Sequence, residues 1–295
     1  MVNFPTTIPE LAGILDVPIQ ELLYLADTIE RNTSVKKIPK PSGGKRTITA
    51  PSRKLKALLS HLDSVLLCKI PLHPFLYHRP GSSYIEMIKQ HLNSRCLITA
   101  DIDDFYPTVS PNKVFNALVS EGLENAVARA ITRLTTAFHS LPQGFPTSPT
   151  LAGIVLKPVG IRLAGLAAAS HLRVGLYADN LAVSADYDVS KFERLIIKIF
   201  RQNGFKLDKW KVMTRGDRQE IMNIVVDSGL RVKSEYQDEV RTDIYMLSKM
   251  KFNDSSDDYR KKLKSVQGKL SHIRSINTHQ AEVLSAYARK LAIRL

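Results

Sequence analysis

Residues 176–185 read LYADNLAVSA. An apolar run stops at Asp179 and Asn180 and then resumes its alternation, which predicts two short strands joined at a tight turn. Asp and Asn tolerate left-handed backbone and supply turn hydrogen bonds, so an ordinary β-hairpin is one reading. The other is half of a metal site, with Asp179 presented on the turn. A second carboxylate arriving from elsewhere in the chain decides between them.

The stretch CLITADIDDFYPTVS (96–110) supplies a candidate. It starts as a buried strand, carries Asp101, and ends at Pro107. If its strand neighbours those around Asp179 in one sheet, the two carboxylates converge at the sheet edge. Two bare carboxylates held close repel, and one takes up a proton. Divalent cations resolve this, because Mg²⁺ favours a few carboxylates, water and substrate phosphates. A pair of such ions stabilises the attacking and leaving oxygens of an in-line phosphoryl transfer. On these two residues alone the bland alternative stays open: Asp101 at a strand end, Asp179 in a turn.

Composition narrows the partner. The chain has 295 residues, 44% hydrophobic and 24% charged, an ordinary globular balance that argues against wholesale disorder. Lys and Arg number 42 against 28 Asp and Glu, a net charge of +14 that favours a polyanion, nucleic acid ahead of an anionic membrane. The most apolar stretch, Leu151 to Ser170, is interrupted by Lys157, Pro158 and Arg162, so no membrane span is expected. The opening MVNFPTTIPELAG lacks the layout of a signal peptide. Only Cys68 and Cys96 occur, so no disulfide framework is indicated and a cytoplasmic location is expected. Cys68, His73 and His78 match no common zinc spacing, and a structural or surface role is expected for them.

Helical spacing runs through residues 8–32, Leu55 to Ile70, Val114 to Phe138, the apolar segment 150–170, and 190–203. Ser110 followed by Pro111 is a good helix start. ITA (48–50) after the Gly-Gly punctuation, GFKLDKWKV (204–212) and IMNIVV (221–226) are strand-like. From Lys233 onward the spacing predicts helix throughout, with Asn277 and Gln280 as a capping box for the last one. Lys251 to Leu295 holds 10 basic and 4 acidic residues, a local excess of 10 − 4 = +6. The layout is a mixed α/β centre with a basic helical tail.

Four blocks taken together resemble a reverse transcriptase: GGKRTITAPSRKLKALLSHL, CLITADIDDFYPTVS, SLPQGFPTSPTLAGIVL and LYADN, with a Lys-bearing GFKLDKWKV after them. The resemblance covers roughly residues 35–250, and by length it is nearest to the compact bacterial retron enzymes. It implies an α+β right-hand polymerase, with an antiparallel palm sheet packed on helices and a helical thumb. The implied divisions are an N-terminal helical segment (1–35), fingers (36–95), palm (96–230, with fingers helices inserted at about 111–140) and thumb (231–295). The implied activity is RNA-directed DNA synthesis of retron type. A cognate noncoding RNA serves as template and primer, dNTPs are consumed, and a DNA product is formed. An anti-phage defence system with an effector protein is implied as well.

Carried over by position, Asp101 and Asp179 would hold two Mg²⁺ ions, with the Ile102 carbonyl as a further ligand. Asp104 and Phe105 would offer backbone N–H groups to the triphosphate. Arg46 would contact phosphate oxygens, where a planar guanidinium suits the geometry, and Lys45 beside it would bind nucleic acid. Gln143 would seat the incoming nucleotide and Gly144 would let backbone approach it. Tyr106 would lie against the sugar and leave no room for a 2′-hydroxyl. Lys211 would assist pyrophosphate departure as a proton donor. Lys261, Lys262, Lys264 and Arg274 would grip the A-like duplex through its backbone.

The chain departs from the family pattern at three places. Asn180 stands where the second turn Asp is usual; its oxygen can still ligate or orient a water, but one negative charge is lost. Met87 and Ile88 replace an Asn-Ala pair ahead of His91, and Ile221, Met222 and Asn223 replace a Val-Thr-Gly. Those positions are associated with recognition of the cognate RNA. Retained polymerase activity is the expectation, against a catalytically weak or silent nucleic-acid-binding module on the same fold or a non-retron defence-associated reverse transcriptase.

Overall fold

The computed structural model describes residues 4–39, 45–78, 81–250 and 257–293, and the side chain of Arg46 also lies outside the described residues. The helical spacing of 8–32 resolves into α1 (Ile8–Ile14) and α2 (Ile19–Asp27). Asp16 turns left-handed (φ 53°) and Pro18 starts the second helix. A proline has no N–H to give and disfavours helical backbone in the residue before it, so the helix breaks there.

An antiparallel ribbon follows, β1 (Thr33–Pro39) with β2 (Lys45–Pro51), in which Ile38 faces Arg46. Ser52 caps α3 (Arg53–Val65), accepting from the Leu55 N–H, and a short 3-10 turn covers 67–69. Then come α4 (Tyr84–Lys89), β3 (Cys96–Ile102) and the single turn α5 (Phe105–Thr108). The helical spacing of 114–138 resolves into α6 (Pro111–Ser120) and α7 (Asn125–Thr135), parted at Gly122 (φ 96°). As the Ser-Pro pair implies, Ser110 accepts from the Lys113 N–H at 3.4 Å.

Next are α8 (Ser148–Ser170), the hairpin β4 (Arg173–Tyr177) and β5 (Asn180–Ala185), α9 (Glu193–Gln202) and β6 (Leu207–Thr214). The four-stranded sheet has the order β4-β5-β3-β6. Its middle strands are buried nearly throughout, which is why they read as apolar runs rather than alternations. Helix α8 packs on α6, α9 and β4. It is long and apolar enough to cross a membrane by length and composition, yet 56% of that window is buried inside the protein, as in a core helix.

The strand-like IMNIVV is two strands, not one. β7 (Glu220–Ile221) and β8 (Ile224–Val226) fold back on each other, and β9 (Leu230–Val232) completes a second antiparallel sheet. Helices α10 (Ser234–Lys249), α11 (Asp257–Ile276) and α12 (Thr278–Lys290) close the chain around Val240, Ile244, Leu247, Val266 and Ile273. The predicted capping box is half made. The Gln280 N–H donates to Asn277 Oδ1 at 3.0 Å, but the Gln280 side chain accepts from the Val232 N–H instead of returning to the cap.

Two compact units emerge. One comprises Met1–Tyr84, Ala100–Leu181 and Ser190–Lys211, and the other Ile85–Thr99, Ala182–Val189 and Val212–Leu295. In the second unit Met87 and Ile88 are fully buried on α4, and His91 Nδ1 lies 2.7 Å from Ser184 Oγ. The departure from Asn-Ala at 87–88 has therefore become apolar core.

Candidate active site

The decisive juxtaposition lies in the first unit. The Ile102 N–H donates to the Asp179 carbonyl at 2.8 Å, so the end of β3 and the tip of the β4–β5 hairpin are neighbours. Asp101 and Asp179 accordingly line one cleft, of about 890 Å³, together with Ile102. The hairpin loop is only Ala178 and Asp179, and Ala178 is left-handed (φ 52°). Such a conformation costs an L-residue about 1–2 kcal/mol. The Asn180 amide donates to Asp179 Oδ1 at 2.9 Å. The unusual Asn thus orients its neighbour's carboxylate, where a second Asp would repel it.

The other walls come from the predicted blocks. Asp104 (φ 41°) precedes α5 as a left-handed cap, which turns the chain so that Asp104, Phe105 and Tyr106 all reach the cleft. Phe105 is buried against Phe205, with ring centroids 6.0 Å apart. Tyr106 has its phenol pushed above the usual tyrosine range, first by burial and then by the negative charge of Asp179. It therefore stays a neutral ring beside that carboxylate.

Gln143 lines the cleft, and its carbonyl accepts from the Thr49 N–H of β2 at 2.9 Å. Gly144 meets a constraint within the fold itself. Its φ is +130°, and a Cβ there would stand 2.6 Å from the Thr49 carbonyl oxygen. Only glycine lets the loop dock on the ribbon this closely. Lys45 lines the same cleft from β2, while the Arg46 side chain lies outside the described residues.

One lysine differs from expectation. Lys209, not Lys211, lines the cleft, and its ammonium lies 2.8 Å from Asp101 Oδ2. That hydrogen bond and the charge of Asp101 hold Lys209 above the ordinary lysine range. Lys211 is exposed on β6. Period-two alternation puts residues 209 and 211 on one face, but Lys209 is left-handed (φ 50°) and breaks the alternation. Nothing in the sequence marks that kink.

Among the described residues no three His, Cys, Asp or Glu side chains form a metal-ligating group. The donor set at the sheet edge is two carboxylates with backbone oxygen, which suits a hard cation that keeps water and phosphate ligands and does not suit zinc. The Lys209 ammonium against Asp101 marks the spot as one that favours positive charge. On the helical tail, Lys264 and Arg274 are exposed and Lys261 pairs at the surface with Asp257. Lys262 is committed to Asp243, which also binds Lys269 at 2.6 Å.

The family model for reverse transcriptase (RNA-dependent DNA polymerase) matches residues 38–235. The chain belongs to the reverse transcriptase family, on its bacterial retron-type branch. It is 30% identical over 272 residues to the retron Mx65 reverse transcriptase of Myxococcus xanthus, covering 84% of this chain and 62% of that protein. With the retron Ec86 reverse transcriptase of Escherichia coli it shares 28% identity over 276 residues, covering 92% and 83%. Among solved structures, apo telomerase from Candida tropicalis matches with a TM-score of 0.53 at 10% identity, over 88% of this chain and 58% of that one. This last likeness concerns fold alone and fits a right-hand polymerase. The family generally uses divalent metal ions.

Proposed function

We propose that this protein copies a cognate noncoding RNA into DNA from dNTPs, with Asp101 and Asp179 as ligands of two Mg²⁺ ions and the Ile102 carbonyl as a further ligand. The observation that carries this reading is the pair of aspartates, Asp101 on β3 and Asp179 in the β4–β5 loop, at one sheet end on a cleft shared with Tyr106 and Gln143. Divalent ions bound there would activate the primer 3′-hydroxyl and offset the charge of the triphosphate.

The chain's own residues supply the remainder. Asn180 keeps the Asp179 carboxylate aimed by donating to one of its oxygens. Tyr106 packs against the sugar and excludes a 2′-hydroxyl, which selects deoxynucleotides. Gln143 and the N–H groups of Asp104 and Phe105 seat the nucleotide, with Arg46 on its phosphates and Lys45 on the nucleic acid. A cation held by Asp101 would free the Lys209 ammonium into the cleft. That makes it better placed than Lys211 to protonate the departing pyrophosphate.

The division into fingers (36–95), palm (96–230) and thumb (231–295) belongs to the same proposal, as does a cytoplasmic role in anti-phage defence with an effector protein. Lys261, Lys264 and Arg274 are exposed cations for the duplex backbone; Lys262 contributes only by leaving Asp243. The test is incorporation of labelled dNTPs on a primed RNA template. Wild type incorporates and Asp101→Ala does not; equal incorporation by the mutant removes the proposal.

A second reading, a nucleic-acid-binding module without synthesis, is favoured by the Lys209–Asp101 pair and by Asn180. It requires salt-sensitive RNA binding with no incorporation, even in Asn180→Asp.

A further inference from the structure

The hairpin that carries Asp179 is braced from a segment without any of the family blocks. Phe75, Leu76 and Tyr77 run alongside β4 as a parallel bridge. Leu76 pairs with Leu176, the Leu176 N–H donates to the Phe75 carbonyl at 2.8 Å, and the Tyr77 N–H donates to the Leu176 carbonyl at 2.9 Å. That register carried forward by two residues sets His78 beside Ala178. There the Ala178 N–H donates to His78 Nδ1 at 3.3 Å.

An imidazole nitrogen that accepts carries no proton, so the ring is neutral and its hydrogen is on Nε2. Either other form would put two donors face to face. Nε2 is buried towards the Pro149 carbonyl without closing a hydrogen bond of normal geometry. Burial presses the imidazole down to about 4, so the accepting form prevails at neutral pH. Space for the ring comes from Gly153 on α8, where a Cβ would lie 2.9 Å from Nε2. The Tyr177 ring stands at 90° to it, with centroids 6.5 Å apart.

We infer that His78 is a positioning residue: by accepting the Ala178 N–H it holds the left-handed residue ahead of Asp179 and so sets the aim of that carboxylate into the cleft. The inference rests on the proposed role of Asp179 as a metal ligand. It assigns to the Leu72–His78 segment a part in catalysis at one remove, through backbone.

The experiment compares His78→Asn, His78→Gln and His78→Phe in the full chain, beside Asp101→Ala. Asn places its Oδ1 near the position of Nδ1 and can accept; Gln carries its amide one bond further out; Phe keeps the ring and loses the acceptor. Two readouts are taken on variants that melt cooperatively. One is steady-state dNTP incorporation, and the other is Mn²⁺ binding by EPR with a chain-terminated primer–template and dNTP. We expect His78→Phe and His78→Gln to lose ~10- to 100-fold in kcat, the scale of a misplaced reacting group. Their Mn²⁺ binding should weaken while the KM for dNTP stays within about twofold. His78→Asn should restore most of both. The inference is overturned if His78→Phe binds Mn²⁺ and turns over like wild type, or if His78→Asn is no better than His78→Gln. Full incorporation by Asp101→Ala would instead remove the underlying reading, so the two failures are distinguishable.

Discussion

Two hairpins in this chain turn through left-handed residues that are not glycine, and they are held in different ways. At the β4–β5 tip only the first loop residue, Ala178, has positive φ, the pattern of a II′ turn, in which glycine is favoured at that position. At the β7–β8 tip both loop residues do, Met222 at 51° and Asn223 at 66°, the pattern of a I′ turn. Asn223 is at home in the second, because its short polar side chain tolerates left-handed backbone, while Met222 beside it carries the same cost as Ala178. Ala has no such excuse in the first. It is kept in place from outside, by the strand-like segment 75–77 and the His78 imidazole. A turn that closes itself needs only local sequence, whereas a turn that aims a functional group is bolted to its surroundings. Strain held in place by tertiary contacts is a mark of a functional turn.

The contrast breaks most visibly if the wrong turn proves essential. Asp179→Asn keeps the shape of the first hairpin and removes its charge. Incorporation should fall on the order of a hundredfold or more, the scale of losing one electrostatic contact to a developing charge, with the melting temperature little changed. Asn223→Ala in the second hairpin should cost about 1 kcal/mol of stability and leave incorporation on a generic primed RNA within about twofold. Assaying both variants on one template settles it; loss of incorporation in Asn223→Ala would erase the distinction.

A pH series sharpens it next. His78 has an ordinary value of 6.5 and is held to about 4 in the folded protein by burial. Between those values the unfolded chain binds the extra proton and the folded chain does not. Stability therefore rises with pH from about 4 and is fully present above about 6.5. At ~1.4 kcal/mol per unit, this single group accounts for a loss of at most about 3.5 kcal/mol on going from neutral to acid pH. Among the described residues no titrating side chain is hydrogen-bonded to Met222 or Asn223. Urea melts of wild type and His78→Asn from pH 7 to pH 4.5 should diverge, with the variant losing less; parallel curves would mean the imidazole is not held neutral.

These differences also mark what the sequence discloses. The strand carrying Asp101, the hairpin carrying Asp179, the Ser110–Pro111 helix start and the apolar α8 are legible because each rests on local pattern: periodicity, a cap, a turn pair. Asp101 and Asp179 meet because β3 lies beside β5 in one sheet, a pairing that the sequence raises only as a condition. The remainder depends on contacts far apart in sequence. Lys209 enters the cleft through one left-handed residue that no pattern announces. The Thr49 carbonyl leaves no room for a side chain at Gly144, and only the folded ribbon brings it to within 2.6 Å of a Cβ. His78, set aside in the sequence as a structural or surface histidine for want of a zinc spacing, gains its place from a parallel bridge between residues a hundred positions apart.

Asn180→Asp probes the same hairpin more gently. It removes the 2.9 Å bond to Asp179 Oδ1 and sets a second negative charge beside it. Without metal the two carboxylates repel, and stability should drop by roughly 1 kcal/mol. With metal the added charge strengthens binding, and the half-activating Mg²⁺ concentration should fall by ~3- to 10-fold. A Mg²⁺ titration of incorporation, run beside metal-free thermal melts, reads both. If the Mg²⁺ requirement rises instead, Asn180 acts chiefly by orienting Asp179 and the lost charge is not limiting.

The smallest expected effect is on the hairpin that closes itself. Asn223→Gly places in the second loop position of a I′ turn the residue that pays no steric cost there. Glycine also loosens the unfolded chain, so the gain is partly offset, and the net change should be about +0.5 kcal/mol or less in stability. Incorporation on a generic template should not move. The corresponding change in the first hairpin, Ala178→Gly, relieves a larger strain but frees the residue that aims Asp179. It should melt no lower than wild type and still turn over more slowly. Opposite responses to the same chemical relief, stability alone in one turn and turnover in the other, are what distinguish a turn that only closes from one that points. If Ala178→Gly gains stability with full turnover, the bracing by His78 serves the fold alone.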